Sequence, residues 1–215
     1  MLGWDKDFNA FKAAVSKGLA LGLPGVEAQY RLVPPDRPRP NFDEIETNNP
    51  RKAGVLALFY PVAEVPHLVL MKRNTYPGVH SGQISLPGGQ AEELDGNITE
   101  TALREAHEEI GVHPKEVSVL GNLTRVYIPP SNFLVQPVLG ISKQRPAFIP
   151  EAKEVSALVE VPFHIFLNSE YFRETRVEAR GLVMHVPAYH IDGHVIWGAT
   201  AMMISEIVAL LKSVK

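Results

Sequence analysis

Apolar and polar residues follow a helical period near both ends of the chain. Over residues 5–20 the apolar positions Phe8, Phe11, Ala14 and Val15 recur at helical spacing, which predicts a short amphipathic helix. Near the other end, the stretch TAMMISEIVALLK has a single apolar face. The residues of that face are Thr200, Met203, Ile204, Ile207, Val208 and Leu211. A second helix is therefore predicted there.

Between these two segments, short runs rich in β-branched and aromatic residues predict strands. The runs are AGVLALFYPV, PHLVLMKR, QISLPGG, VSVLGNLTRVYI, FLVQPVLGI, SALVEVPF and GLVMHVPAYHID. A further helix is predicted over residues 98–110, because Asn97 suits the N-cap, Glu100 stands three positions later and Gly111 follows the last residue. Strands mixed with helices in this way predict an α/β sandwich.

The domain organisation follows from the proline pattern. The segment RLVPPDRPRPNFDEIETNNP has five prolines in 20 residues, which predicts an extended connection because proline can neither continue a helix nor donate a hydrogen bond to a sheet. We expect residues 1–50 to form an N-terminal helix and proline-rich extension. The main domain is expected to occupy residues 51–215 of the 215-residue chain.

Charge and cysteine content narrow the class of protein. The net charge is -3 and the basic residues are not clustered, which argues against a nucleic-acid or membrane-surface partner. The absence of cysteine excludes a disulfide scaffold and a thiolate metal site, and it fits a reducing compartment. There is neither a signal-peptide pattern nor an apolar run of the roughly 20 residues that a membrane span needs. We expect a soluble, cytoplasmic protein with a small-molecule substrate, and the oligomeric state stays open, a homodimer included.

Three glutamates crowd one patch of the predicted helix over residues 98–110. Glu105, Glu108 and Glu109 stand at i, i+3 and i+4, where like charges repel by a few tenths of a kcal/mol per pair. At about 100° per residue, they border the buried face of the helix rather than oppose it. Either water screens this patch, as on an ordinary solvated acidic face, or a cation occupies it.

The residues before the helix favour the cation. Gly88 and Gly89 end a predicted strand, and glycine lets a backbone loop approach a ligand or offer a carbonyl oxygen to a metal. Oxygen-only groups without cysteine or paired histidine suit Mg²⁺ or Mn²⁺ rather than zinc. Because Mg²⁺ held by carboxylates usually bridges to substrate phosphates, the combination indicates phosphate-ester or diphosphate chemistry.

The stretch from Gly89 to Val112 resembles the signature of the Nudix hydrolases, which is Gly, five residues, Glu, seven residues, then Arg-Glu-aliphatic-x-Glu-Glu-x-Gly-aliphatic. Its second half, REAHEEIGV from Arg104, matches at every position. The first half departs, since Asp95 replaces Glu and eight residues precede Arg104. The resemblance implies a Nudix-type α/β/α sandwich with a mixed β-sheet and the Nudix loop-helix.

The preceding stretch, RNTYPGVHSGQISLPGG, resembles the segment upstream of the signature in coenzyme A diphosphatase-like members. The resemblance includes Arg73, His80 and Gln83, while Leu86 replaces the usual Phe. It implies hydrolysis of coenzyme A or its derivatives to 3',5'-ADP and 4'-phosphopantetheine. Arg73, His80 and Gln83 are then expected to bind substrate, with Arg73, or Lys72 beside it, gripping the 3'-phosphate.

The resemblance also implies roles for the residues of the signature. Glu105 and Glu109 are expected to be the principal ligands of Mg²⁺ or Mn²⁺. Glu108 is expected to be a further ligand, and the Gly89 carbonyl is expected to complete the shell. Arg104 is expected to join the catalytic set by orienting a neighbouring carboxylate through a bidentate pair.

The general base is left open by the sequence. Either a glutamate of the helix serves, or a carboxylate from another loop does. The stretch IPEAKEVSALVEVP offers Glu151 and Glu154, of which Glu154 is favoured.

Several of these residues have a simpler structural interpretation as an alternative to a functional role. His80 could instead be a turn residue that forms a hydrogen bond within its own loop. Arg73 could pair with an acidic neighbour, and His107 is expected to be a surface residue. Trp197 and the Met202–Met203 pair are expected in the core more than in contact with an adenine. Ser131 and Asn132 are expected to form a simple turn more than to contact the substrate. A Nudix hydrolase for ADP-ribose, NADH or a nucleoside triphosphate is the main alternative function, followed by a non-catalytic Nudix-fold binding module.

Overall fold

The computed structural model describes residues 3–34, 37–75, 80–179 and 182–214. We call the stretch RNTYPGVHSGQISLPGG, residues 73–89, the upstream element. Its residues 76–79 lie outside the described residues. The helices are α1 (Phe8–Leu21), α2 (Gly25–Gln29), α3 (Phe42–Thr47), α4 (Ile98–Ile110) and α5 (Gly198–Lys212). The strands are β1 (Arg51–Val62), β2 (Val65–Arg73), β3 (Ile84–Ser85), β4 (Gly88–Gln90), β5 (Ser118–Asn122), β6 (Val126–Ile128), β7 (Phe133–Ile141), β8 (Val155–Pro162), β9 (Phe172–Ala179), β10 (Leu182–Ile191) and β11 (His194–Ile196). Short 3₁₀ helices cover Tyr30–Leu32, Pro114–Glu116, Pro129–Ser131, Phe163–Leu167 and Ser169–Tyr171.

The central sheet is mixed. Its main path runs β3-β2-β1-β7-β5, with β4 paired to β1, β6 to β7 and β8 to β2. Strands β1 and β7 are parallel, and the other pairs of this sheet are antiparallel. A separate three-stranded sheet has the order β11-β10-β9.

Both faces of the central sheet are covered by helices. Along β1, Leu56, Leu58 and Tyr60 belong to the apolar cluster that contains the buried residues of α4. The alternate residues Ala57 and Phe59 belong to the cluster that contains α1 and α5. Successive side chains of a strand point to opposite faces, so one strand contributes to two cores. The predicted α/β/α sandwich with a mixed sheet is thereby confirmed.

The start of α4 lies directly against β1. A Cβ atom at Gly54 would come within 2.5 Å of the Ile98 carbonyl oxygen and 3.0 Å of the Ala102 nitrogen. The missing side chain at Gly54 therefore lets the helix axis approach the sheet. This close crossing fixes the position of the carboxylate-bearing helix relative to β1 and β4.

The N-terminal residues share the larger core. Trp4, Phe8, Phe11 and Val15 are buried in the same cluster as the inner face of α5. Phe11 packs edge-on against Phe163, with ring centroids 5.8 Å apart. Helix α1 therefore forms part of the layer that covers the sheet opposite α4.

Helix α5 is buried on a second side that the single-face pattern does not predict. Glu206 is fully buried and accepts hydrogen bonds from Gln29 Nε2 (2.8 Å), Gly25 N (3.1 Å), Thr124 N (3.2 Å) and Thr124 Oγ1 (2.7 Å). The carboxylate is thus satisfied by donors from the N-terminal segment and from the β5–β6 connection. It ties residues 25–29 to the main sheet.

The region around α3 departs from the extended connection that its prolines predict. Asn41 caps this helix by accepting a hydrogen bond from Glu44 N at 3.4 Å. Asp43 and Glu44 add negative charge to the first turn, where the helix dipole favours it. The prediction is wrong for residues 42–47 because the prolines flank this capped turn and do not interrupt it.

Three strand predictions also need correction. QISLPGG forms two short strands, β3 and β4, which pair with different partners. VSVLGNLTRVYI is likewise divided into β5 and β6, which both pair with β7. Strands β9 and β11 were not predicted, because the alternation of charged and apolar residues in β9 is weak and β11 has only three residues. Among the described residues, no helix is long and apolar enough to cross a membrane.

Candidate active site

Helix α4 begins and ends as its sequence predicts. The Asn97 side-chain oxygen accepts hydrogen bonds from Thr99 N (3.0 Å) and Glu100 N (3.1 Å). Glu100 returns the contact by accepting from Asn97 Nδ2 (2.8 Å). Gly111 ends the helix in the left-handed conformation, at φ 75°. These caps fix the register of Glu105, Glu108 and Glu109 on α4.

The glutamates of α4 form a gradient from core to surface. The side chain of Glu109 is 2% exposed, that of Glu105 is 15% exposed and that of Glu108 is 55% exposed. The carboxylates therefore line the wall of a recess, as their position beside the buried face predicts. Glu108 lies at its rim.

Glu109 is the most constrained of the three. Its carboxylate accepts hydrogen bonds from Gly88 N at 2.6 Å and from Arg73 Nη2 at 3.1 Å. Burial raises the pKa of Glu109 to about 7, with smaller upward contributions from the charges of Glu105 and Glu154, while Arg73 and the Gly88 N–H oppose the rise. Burial, more than the neighbouring negative charges, therefore disfavours the ionised form of Glu109.

Glu105 lies against the glycine that precedes the loop. A Cβ atom on Gly89 would be 2.4–2.6 Å from the carboxyl atoms of Glu105, so only glycine leaves room for this carboxylate. Burial raises the pKa of Glu105, the Arg104 charge and hydrogen bond oppose that rise, and Glu108 and Glu154 add to it. The Glu105 carboxylate therefore lies directly against the β4 backbone at Gly89.

Arg104 connects the loop to the carboxylates. It forms a bidentate pair with Asp95, with Nε–Oδ1 at 2.9 Å and Nη2–Oδ2 at 3.0 Å. Its Nη1 lies 3.0 Å from Glu105 Oε1 and 2.9 Å from Glu108 Oε2. These contacts hold Arg104 against three carboxylates, those of Asp95, Glu105 and Glu108.

Asp95 is a site residue whose role the sequence reasoning missed. The hydrogen bond from Arg104 is the main reason why the pKa of Asp95 lies well below its usual range, and Glu92 N and Thr101 Oγ1 also donate to it. An acidic residue at the Glu position of the Nudix pattern was the available signal. Although the spacer is one residue longer than in the Nudix pattern, Arg104 still has an acidic partner.

The upstream element comes close to a turn from another part of the chain. His80 Nδ1 lies 3.1 Å from Gln83 Oε1, and His80 Nε2 lies 3.3 Å from Ser131 Oγ. Asn132 ends that turn in the left-handed region, at φ 52°. The structure therefore brings His80 and Gln83 together, and it places Ser131 next to them.

Glu154 and Glu151 differ in their relation to the carboxylates of α4. Glu154 is exposed, and its charge contributes to the raised pKa values of both Glu105 and Glu109. The Glu151 side chain instead accepts a hydrogen bond from Lys153 N at 3.1 Å. Of the two, Glu154 is the one whose charge acts on both Glu105 and Glu109.

The remaining candidates lie away from the carboxylates. Met202 and Met203 are buried in the larger core, and Trp197 precedes α5 and is half-buried. His107 is exposed on α4, with its ring centroid 5.6 Å from that of His113. These positions agree with core and surface roles.

The donor set fits a hard divalent cation. Within the described ranges, no three His, Cys, Asp or Glu side chains are gathered closely enough to form a ready metal site. The carboxylates of α4 nevertheless offer only oxygen, repel one another, and lie against a glycine backbone that a side chain would fill. Each carboxylate has about four lone-pair positions, so the hydrogen bonds to Arg73, Gly88 and Arg104 leave capacity for a cation.

Comparison with known proteins identifies the family. The NUDIX domain matches residues 49–175. The chain is 31% identical over 179 residues to the uncharacterized Nudix hydrolase NudL of Photorhabdus laumondii, covering 83% of this chain and 91% of that protein. It is 37% identical over 162 residues to the chloroplastic Nudix hydrolase 22 of Arabidopsis thaliana, covering 72% of this chain. The chain spans about half the length of that plant relative, 53%.

Among solved structures, a Nudix hydrolase from M. smegmatis, RenU, aligns with a TM-score of 0.45 and 20% identity over 53% of this chain and 71% of that one. The matched family region contains β1, β2, β4 and α4, which carry Arg73, Gly89 and the three glutamates. The chain therefore belongs to the Nudix hydrolase family, whose members are enzymes that act on diphosphate bonds.

Proposed function

We propose that this protein hydrolyses the diphosphate bond of coenzyme A or its derivatives, giving 3',5'-ADP and 4'-phosphopantetheine. The supporting observation is the contact between the upstream element and the carboxylate helix. Arg73, which opens the element, donates to Glu109 at 3.1 Å and to the Gly88 carbonyl oxygen at 3.1 Å. The residues that resemble the coenzyme A diphosphatase subfamily thus border the site where chemistry is expected.

Each residue of the site has a proposed task. Glu105, Glu109, Glu108 and the Gly89 carbonyl would hold Mg²⁺ or Mn²⁺. A bound divalent ion supplies neutralisation of the diphosphate charge and a lowered pKa for the attacking water. Arg104 holds Glu105 and Glu108 in place through its pairing with Asp95. Arg73 keeps Glu109 against β4.

Proton transfer is assigned to Glu154. Its carboxylate is exposed, its charge acts on both Glu105 and Glu109, and it has no ion pair with Arg104. In the proposed step, a carboxylate oxygen of Glu154 accepts a proton from the attacking water as the water oxygen bonds to one phosphorus of the diphosphate. The bond from that phosphorus to the bridging oxygen breaks, and the other phosphate leaves with the bridging oxygen. His80 and Gln83, held together by a 3.1 Å contact, are proposed to bind the substrate on the side of the Ser131 turn.

A diphosphate other than coenzyme A is the alternative substrate class. ADP-ribose, NADH and nucleoside triphosphates present the same bond to the same carboxylates, so the signature helix does not distinguish among them. The upstream element favours coenzyme A. A purely non-catalytic binding role is disfavoured because Glu105, Glu108 and Glu109 are all present and oriented by arginines.

A substrate panel tests the proposal. Coenzyme A, an acyl-coenzyme A, dephospho-coenzyme A, ADP-ribose, NADH and a nucleoside triphosphate are assayed with Mg²⁺ and with Mn²⁺, and the products are identified by mass. Glu105→Gln, assayed in parallel, shows which activity belongs to this site. Coenzyme A or its acyl form should have the highest specificity constant. An ADP-ribose or NADH activity that exceeds it by about tenfold or more would refute the coenzyme A assignment.

A further inference from the structure

A cavity of about 320 Å³ lies beside the N-terminal segment, and none of the α4 carboxylates lines it. Its volume falls within the range of small-molecule sites. We call it the arginine pocket and define it by five of its lining residues, Tyr30, Arg37, Arg39, Arg125 and Tyr127. Nothing in the chemistry of the carboxylates accounts for it.

The arginines of the arginine pocket differ in their partners. Arg39 pairs with Glu27, and Arg125 pairs with Glu46. Arg37 instead donates from Nη2 to the Tyr127 carbonyl oxygen at 2.8 Å, and within the described ranges no carboxylate is paired with it. Glu44 is the acidic residue in the described lining. The planar guanidinium group of arginine can donate two parallel hydrogen bonds to the oxygens of a phosphate group, so phosphate is an anion that fits this pocket.

The pocket also offers aromatic and rigid surfaces. The guanidinium carbons of Arg37 and Arg39 lie 5.9 and 5.7 Å from the centroid of the Tyr30 ring. The Tyr30 hydroxyl donates to the Pro38 carbonyl oxygen at 2.8 Å, which fixes the ring against the proline-rich segment. Prolines restrict this segment before any ligand arrives, so binding orders less of the chain. Tyrosine rings and guanidinium planes are surfaces on which a nucleobase stacks.

The arginine pocket shares a wall with the substrate side of the active site. Pro129 lines the pocket and begins the turn whose Ser131 lies 3.3 Å from His80. The Tyr127 hydroxyl donates to Asn132 Oδ1 at 3.0 Å in the same turn. One polypeptide turn therefore separates the pocket from the residues proposed to bind substrate.

Among the described residues of the active site, both arginines next to the carboxylates are already paired. Arg73 is held by Glu109 and the Gly88 carbonyl, and Arg104 is held by Asp95, Glu105 and Glu108. A phosphomonoester would also be repelled by the carboxylates of α4. A separate basic site would therefore suit a substrate that has a diphosphate at the carboxylates and a second phosphate elsewhere.

We propose that the arginine pocket binds the nucleoside phosphomonoester end of the substrate, with Arg37 as the principal contact to the phosphate. This inference rests on the proposed function, because in a coenzyme A-like substrate that group is the 3'-phosphate of the adenosine. It assigns to the N-terminal segment a share in substrate selection. It also replaces Arg73, which the sequence suggested, by Arg37 as the expected contact to the 3'-phosphate.

Kinetic discrimination between two substrates tests the assignment. Coenzyme A and dephospho-coenzyme A differ by the 3'-phosphate alone, so the ratio of their specificity constants reports the contact to that group. Arg37→Gln should lower this ratio by about tenfold or more, as expected for loss of a charge-assisted hydrogen bond. Arg176→Gln, which removes an exposed arginine from β9, is the matched control and should leave the ratio unchanged. An unchanged ratio in a folded Arg37→Gln enzyme would overturn the proposal.

A binding experiment on the wild-type chain covers the case in which Arg37→Gln fails to fold. 3',5'-ADP and adenosine are titrated separately, without divalent ions, while the arginine side-chain N–H signals are followed by NMR. 3',5'-ADP should shift the Arg37 and Arg125 signals, and adenosine should shift them far less. Shifts confined to Arg73 and Arg104 would contradict the pocket. Because no turnover is needed, this result stands apart from a wild-type enzyme that fails to hydrolyse coenzyme A, which would instead refute the proposed function.

Discussion

Arg104 and Asp95 form a two-point ion pair, with Nε–Oδ1 at 2.9 Å and Nη2–Oδ2 at 3.0 Å. Asp95 stands where the Nudix pattern has a longer glutamate, and one extra residue separates it from Arg104. The added spacer residue and the shorter side chain still give Arg104 an acidic partner. That partner leaves Nη1 directed at Glu105 and Glu108.

The pair predicts a loss of activity on mutation of Asp95. In Asp95→Ala, Arg104 loses the partner that holds it and the orientation of Glu105 and Glu108 is relaxed. Turnover should fall by about 10- to 100-fold, as is typical for residues that orient metal ligands. Glu93→Ala, an exposed change in the same loop, is the control and should keep full activity. An Asp95→Ala enzyme as active as this control would remove the role assigned to the pair.

A methyl group at Gly89 should damage the site more than the fold. Gly89→Ala places a Cβ where the Glu105 carboxylate lies, 2.4–2.6 Å away, and the flexible end of Glu105 must move. We expect the melting temperature to change little and turnover to fall by at least about tenfold, by analogy with other changes that displace metal ligands. Steady-state kinetics and thermal melting measure the two effects.

Gly96→Ala is a closely matched control for that change. There the new Cβ meets Glu100 Oε2 at 2.9 Å, so it also displaces a glutamate tip, but one that caps α4. It should lower the stability slightly and spare activity. If both variants lost activity equally, the special position of Gly89 would be refuted.

Divalent ions should stabilise the wild type against heat more than they stabilise Glu105→Gln. A ligand that binds only the native state adds about 2.7 kcal/mol at 100 times its dissociation constant. For a chain of this size that corresponds to an increase of about 5–10 °C in melting temperature. Scanning calorimetry with and without Mg²⁺ or Mn²⁺ measures the shift. Equal shifts in the two proteins would place the ion away from Glu105.

Glu206 should be important for stability. Glu206→Ala leaves donors of Gly25, Gln29 and Thr124 without their buried acceptor, and we expect a loss of about 2–4 kcal/mol in the free energy of unfolding. Urea denaturation measures this loss. Ser205→Ala removes a single neutral hydrogen bond, to the Ala28 carbonyl oxygen, and should cost about 1 kcal/mol. A loss in Glu206→Ala no larger than in Ser205→Ala would show that the carboxylate does not anchor residues 25–29.

Local signals predicted helix α4 and most of the strands. Asn97 and Gly111 mark the ends of α4 because caps depend on neighbouring residues along the chain. The place of Glu105 beside the buried face follows from helical geometry alone. The parallel pairing of β1 with β7 joins residues about 80 positions apart, and no local pattern encodes that register.

The parts of the site that were not predicted depend on contacts between distant segments. The contact of Arg73 with Glu109 requires β2 and α4 to be placed first. Arg37 and Arg125 come together only because α3 and the proline-rich segment fold back against β6, and the prolines obscured that helix. The buried role of Glu206 was missed because its donors come from two other segments.

Hydrolysis of coenzyme A by Glu109→Gln is the most direct test of the proposed active site. The wild type with Mg²⁺ should release 3',5'-ADP and 4'-phosphopantetheine, identified by mass. In Glu109→Gln the amide oxygen can still accept from Gly88 N, but the charge is gone. Turnover should fall by about 1,000-fold or more, since a catalytic ion contributes several kcal/mol and 1.36 kcal/mol is a factor of ten.

The exposed neighbour supplies the comparison for that measurement. Glu108→Gln should reduce turnover less, because Glu108 lies at the rim of the recess. The melting temperature of Glu109→Gln without divalent ions should hold or rise, since the change removes repulsion from Glu105 and Glu154. A folded Glu109→Gln enzyme that still releases both products at near the wild-type rate would contradict the assignment of the carboxylates of α4 as the catalytic centre.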